Sequence, residues 1–170
     1  MKTINILSHA AAQVLTRFSR LIIGITIGLL CAGLATAQAQ TTDKAIGSLI
    51  KAYEKALNSS DTSAVMGLYG SNPVFVAPNT QGVTGRDGVK AAYEGLFSAI
   101  KPSLVFTIHE VVELGDTAYV RTSSEGEVEI VANKAKVKDA YNEMFVVRKE
   151  QGQRRIHRYI FNSAMPATAK

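Results

Sequence analysis

The chain has 170 residues, of which 46% are apolar, 19 are Lys or Arg and 14 are Asp or Glu, for a formal charge of +5. That length suits one domain with a core large enough to stand without staples. Only Lys2, Arg17 and Arg20 are charged before Asp43, so removing them leaves 16 basic against 14 acidic residues, a net +2, and the overall basicity makes no case for a nucleic-acid partner.

Along the chain, the basic start is followed by an uncharged apolar run, Leu21 to Leu34, and then by Ala35-Thr-Ala37 and Ala37-Gln-Ala39, two overlapping small-x-small sites. Basic, apolar and small-residue parts in that order predict a secretory signal over residues 1–39, cleaved near Ala37 or Ala39. A retained anchor is the rival reading, although Leu21 to Ala37 falls short of the roughly 20 apolar residues a spanning helix needs. Leu30 before Cys31 does not resemble a lipoprotein site. Cleavage removes the lone cysteine and predicts a mature part, residues 40–170, that is periplasmic or secreted, free of thiol chemistry and without stable membrane association.

Thr41-Thr-Asp43 can cap a helix in which Ile46, Leu49, Ile50, Tyr53, Ala56 and Leu57 form one apolar stripe. Asp61 caps a second, short helix through Val65, Met66 and Tyr69, which Gly70-Ser-Asn-Pro73 stops. Val74 to Ala77 predicts a short strand, and Arg86 to Ile100 a third helix with Val89, Tyr93, Leu96, Phe97 and Ile100 on one side. Four long strands follow, Leu104–Leu114, Thr117–Ile130, Ala135–Lys149 and Arg154–Ser163, with turns at Gly115-Asp116 and Gln151-Gly152. Three N-terminal helices set apart from a mostly antiparallel meander predict an α+β fold with the helices on one sheet face.

Charge registers one hairpin. A fold at Val131-Ala132 sets Glu129, Glu127 and Glu125 opposite Lys134, Lys136 and Lys138, and makes that face solvent-exposed. Alternation then turns Ala135, Val137, Asp139, Tyr141, Glu143, Phe145 and Val147 toward the helices. Glu143 becomes a carboxylate on the covered face, which needs a physical reason.

Tyr69 to Pro78, Gly85-Arg-Asp-Gly88, Gly115 to Arg121, Glu143 to Lys149 and Ile156 to Asn162 together resemble the nuclear transport factor 2-like superfamily, and within it the SnoaL-like group, over residues 43 to 166. The resemblance implies a cone: a strongly curved sheet wrapped on three helices around a pocket, with dimers through the outer sheet face common among relatives. The superfamily includes ketosteroid isomerase and polyketide cyclases as well as binding and assembly domains, so the fold does not settle the function.

Set against ketosteroid isomerase, Tyr53 falls on the tyrosine that donates to the enolate, and Glu143, with one inserted residue, on the protonated acid that shares the oxygen. Ala77 falls on the aspartate base. Tyr53 and Glu143 are thus candidate oxyanion donors, while the residue that moves the proton is missing, leaving His109 and Asp139 as local replacements. Tyr93, Phe97, His109, Tyr141, Arg158 and Asn162 are the candidate ligand-binding residues, with Arg158 a possible partner of Glu143. Each has a plainer reading: Tyr53 as a buried tyrosine, His109 as a half-buried strand histidine, Glu143–Arg158 as a structural ion pair, and the basic cluster Arg148, Lys149, Arg154, Arg155 and Arg158 as a solvated hairpin tip. No metal or cofactor site is predicted, because no His, Cys, Asp or Glu cluster has ligand spacing. Three functions stay open: an exported domain binding a small apolar molecule; an acid–base isomerase, cyclase or hydratase acting on an apolar carbonyl compound; and a non-catalytic assembly domain. A homodimer is expected.

Overall fold

The apolar stripe of the first helix dictates how the molecule is built. In α1 (residues 44–58) Ile46, Leu49, Ile50, Tyr53, Ala56 and Leu57 are all buried, so the whole stripe faces the core. The computed structural model describes residues 44–165, all within one compact unit, Asp43–Lys170. The predicted signal and the Thr41-Thr-Asp43 cap lie outside the described residues.

Ser60 takes a left-handed φ of 52° and closes α1. The Asp61 carboxylate then accepts from the Ala64 amide at 2.9 Å and starts α2 (Thr62–Leu68). Tyr69 does not continue that helix. It opens β1 (Tyr69–Val76), which runs straight through the Gly70–Pro73 stretch expected as a break. Pro73 is tolerated there because the pairing with the neighbouring strand is irregular between Tyr69 and Val74. Arg86 secures the junction, donating to the carbonyls of Met66, Tyr69 and Gly70. The short β2 (Val83–Thr84) leads into α3 (Gly85–Ala99). Ile100, read as the end of that helix, begins β3 (Ile100–Leu114), followed by β4 (Thr117–Ile130), β5 (Lys136–Glu150) and β6 (Gln153–Ser163).

The sheet order is β2-β1-β6-β5-β4-β3, antiparallel except for the β1–β6 pair. Among the described residues the fold is thus α+β, three helices on a six-stranded, mostly antiparallel sheet. Tyr53 fixes α1 across three strands: its ring meets Phe106, Phe145 and Tyr159 edge-on, with centroids 5.7, 5.3 and 5.3 Å away. α1 also covers part of the outer edge of β3. Asn58 exchanges two hydrogen bonds with the Leu104 backbone, and Glu54 accepts from the Phe106 amide at 2.9 Å.

The β4–β5 register corrects the charge-based one. Glu129 faces Lys136, Glu127 faces Lys138, and Glu125 faces Ala140, two residues along from the expected pairs. The turn is longer than predicted: Lys134 adopts a left-handed φ of 60° inside it, and the Ile130 amide bonds to the Ala135 carbonyl. Lys134 still reaches Glu129 at 3.6 Å, but from the loop. A shift of two preserves which face each side chain takes. Glu143, Phe145 and Val147 are therefore buried as expected, whereas Val137, beyond the helices' reach, is exposed. At Gly126 the strands come so close that a Cβ would lie 2.1 Å from the Ser103 carbonyl oxygen.

Candidate functional site

Between α1, α3 and the sheet lies a small cavity of about 40 Å³, walled by apolar side chains such as Leu57, Phe75, Leu96, Leu104 and Val128. Its polar groups come from Tyr53, Tyr141, Glu143 and Tyr159. That volume holds a few waters and is far below the ~300 Å³ or more of drug-sized ligand sites.

Glu143 sits mid-strand on β5 and is only 4% exposed. Its partners come from the strands on either side. Directly opposite on β4, Thr122 donates to Oε2 at 2.5 Å, and Ser124 donates to Oε1 at 2.9 Å. From β6, the Tyr159 hydroxyl donates to Oε1 at 2.9 Å. All three donors are neutral. Burial pushes the carboxyl above its ordinary range, and the three hydroxyl donors offset part of that rise.

The second polar element is a chain of hydroxyls. Tyr53 bonds to Tyr93 at 2.7 Å, and Tyr93 to Tyr69 at 2.9 Å. The sequence brings them together from α1, α3 and the start of β1. Burial raises all three hydroxyls, and that of Tyr159, well above the tyrosine range, so they remain protonated hydrogen-bond donors. Tyr53 and Glu143 wall the same cavity without bonding to each other, each anchored to its own network. Tyr141 donates to Asp139 and stands at the half-buried rim.

Tyr53, Tyr141 and Glu143 thus line the cavity. Tyr93 and Phe97 stand behind the wall, their rings 5.7 Å apart. His109, Arg158 and Asn162 do not join them. His109 is the extra residue where the β3–β4 register slips between Ile108 and Glu110; it is exposed and bonds to Ser123 at 2.8 Å. A second slip, between Val146 and Val147, inserts His157 into β6. Ile156, Tyr159 and Phe161 then face the core side, and Arg158, Ile160 and Asn162 are exposed. Arg158 donates to the Asn72 carbonyl at 2.9 Å, and the residue across from Glu143 is Phe161, so no Glu143–Arg158 pair forms.

Thr122 and Ser124 were not singled out by sequence reasoning. Their signal is two hydroxyls alternating on a strand otherwise filled inward by Val120 and Val128. Among the described residues no group of three His, Cys, Asp or Glu stands together to hold a metal.

The arrangement resembles known proteins. The solved structure of a ketosteroid isomerase-like protein from Erwinia carotovora atroseptica SCRI1043 superposes with a TM-score of 0.69 at 29% identity, covering 72% of this chain and 96% of that one. A provisionally named dehydratase of the nuclear transport factor 2-like family from Streptomyces avermitilis gives 0.65 at 16% identity, over 75% and 99% of the two chains. A provisionally named calcium/calmodulin-dependent protein kinase II association domain from Xanthomonas campestris gives 0.64 at 20%, over 72% and 87%. The latter two, at such identities, speak to fold alone. No match is found among curated proteins. The SnoaL-like domain model matches residues 50–159, so that the chain belongs to the SnoaL-like family of the nuclear transport factor 2-like fold.

Proposed function

We propose that this chain is exported by its N-terminal signal and that its folded part, read as a cone closed around the cavity, binds a small, mostly apolar molecule carrying one oxygen function. The observation that carries this reading is Glu143: a buried carboxyl on the wall of an apolar cavity, held only by neutral hydroxyls. A purely structural core gains nothing from a carboxyl there, and an isolated buried carboxylate is costly. Beside it, Tyr53 offers a hydroxyl already oriented by Tyr93. A ligand larger than a few waters enters by displacing the half-buried Leu96, Ile100 and Phe161. The exposed Ile160, paired with half-buried Met144 on the outer sheet face, supports the homodimer.

The test is native mass spectrometry of protein purified from its own envelope fraction, followed by rebinding of whatever is released. A co-purifying apolar compound that binds the wild type, and binds Tyr53→Phe or Glu143→Gln about tenfold less tightly, supports the reading. Equal binding to all three proteins, or exclusive recovery in the cytoplasm, defeats the pocket and the export respectively.

An acid–base enzyme is the second reading, favoured by the raised Glu143 carboxyl, which can donate a proton at a developing oxyanion. Ala77 supplies no base, and His109 is remote. Asp139, linked to the cavity rim through Tyr141, is then the group left to move the proton. Turnover of the bound compound, lost in Asp139→Asn with binding intact, decides for catalysis.

A further inference from the structure

The β5–β6 hairpin carries a charge pattern that the cavity does not use. Arg148 lies directly across from Arg155, and Lys149 across from Arg154. Like charges in directly opposed positions destabilise a strand pair. Two of the four cations are occupied elsewhere: Arg154 by Glu113 at 3.0 Å and the Asp116 carbonyl, and Arg155 by the Gly67 carbonyl. Arg148 and Lys149 have no acidic partner among the described residues.

These two cations border a cleft of about 520 Å³ between the hairpin and β1, which Arg158, His157, Ser71 and Asn72 also line. Its floor is built. His157, inserted by the slip in β6, is only 6% exposed, and its Nε2 bonds to Glu150. Glu150 is held in turn by the Ser71 amide, at 3.1 Å to Oε2, and by the Ser71 hydroxyl, at 3.1 Å to Oε1. Gly70 leaves room for the pair, since a Cβ there would lie 2.6 Å from Nε2. The carboxylate accepts from Nε2, and this bond orients the imidazole. His157 lines the cleft beside Glu150.

We propose that this cleft is a binding site for a phosphate-type oxyanion, held by Arg148, Lys149 and Arg158 beside the His157–Glu150 pair. Three cations face the single carboxylate of Glu150, which His157 and Ser71 already engage. An oxyanion relieves the opposed cations. The anion is either free in solution or carried on a lipid headgroup; both present the same oxygens.

The test is a titration of the purified protein with inorganic phosphate at constant ionic strength, followed through the His157 ring resonances. Saturable shifts that chloride does not reproduce, with affinity about tenfold weaker in Arg148→Gln/Lys149→Gln, are expected. Both substituted residues are exposed, so the variant folds, and an unchanged circular dichroism spectrum checks it. Shifts that follow ionic strength alone, or equal phosphate affinity in the double variant, overturn the site. Sedimentation with phosphatidylglycerol vesicles but not phosphatidylcholine vesicles, abolished by the double variant, assigns the anion to a lipid; saturable phosphate binding without sedimentation assigns it to a free ligand.

Discussion

Two carboxylates on one strand, Glu143 and Glu150, show how position decides the behaviour of a single side-chain type. Glu143 is buried and meets three neutral hydroxyls; burial dominates, and its proton is held more tightly than usual. Glu150 is partly exposed; burial raises it, but the hydrogen bonds from Ser71 and His157 together outweigh that and bring it below the ordinary range. Hydrogen bonds alone do not separate the two, since both accept several. What differs is access to water and a histidine partner. The first environment suits a group that gives or shares a proton inside an apolar cavity, the second a fixed negative charge that orients an imidazole.

Removing each acid tests the contrast most sharply. Glu143→Ala strands three buried hydroxyl donors and is expected to cost about 3 kcal/mol in chemical denaturation. Glu150→Ala exposes its partners to water and is expected to cost under about 1 kcal/mol. Equal costs would mean that Glu143 is not the buried hub. Next, Gly70→Ala drives a methyl group against His157 and Glu150, with an expected loss of about 1–2 kcal/mol. Carbon-13 titration of the variant should return Glu150 toward the ordinary carboxylate range while leaving Glu143 raised.

The pH dependence separates the pair by sign. A raised carboxyl binds its proton more tightly in the folded state, so its contribution is intact below the unfolded value of about 4.3 and is lost as pH rises through the folded value. A lowered carboxyl contributes above that unfolded value and loses its contribution as pH falls through the folded one. The melting temperature of Glu143→Gln, measured relative to wild type, should therefore climb as pH rises from 4. The deficit of Glu150→Gln should shrink as pH falls toward 3. Parallel profiles would erase the distinction.

Much of this was legible in the chain. The helix stripe and the inward face of Glu143 follow from periodicity, because face depends only on parity, and the turns at Gly115-Asp116 and Gln151-Gly152 follow from their glycines. The hydroxyl cradle did not follow. The charge-derived register puts Val120 across from Glu143, whereas the longer turn, with Lys134 in a left-handed conformation, puts Thr122 there. A slip of two residues leaves every face correct and every partner wrong. The irregularities at His109 and His157 are single-residue insertions with no glycine or proline to mark them, and the one at His157 turns the candidate ligand-binding residues Arg158 and Asn162 outward. The tyrosine chain joins residues 24 and 40 positions apart, a distance over which local pattern is silent.

The smallest expected effect concerns the two ends of β5. At its start, opposite charges face each other, Glu129 with Lys136 and Glu127 with Lys138; at its end, cations face cations. If direct opposition sets these energies, Lys138→Glu should lower stability by about 0.2–1 kcal/mol, and Arg148→Glu should raise it by a similar amount in chloride buffer. Added phosphate should shrink the second gain, because the wild-type hairpin then has an anion of its own and the variant does not. A gain indifferent to phosphate would make the opposed cations a solvated surface feature and separate hairpin stability from anion binding.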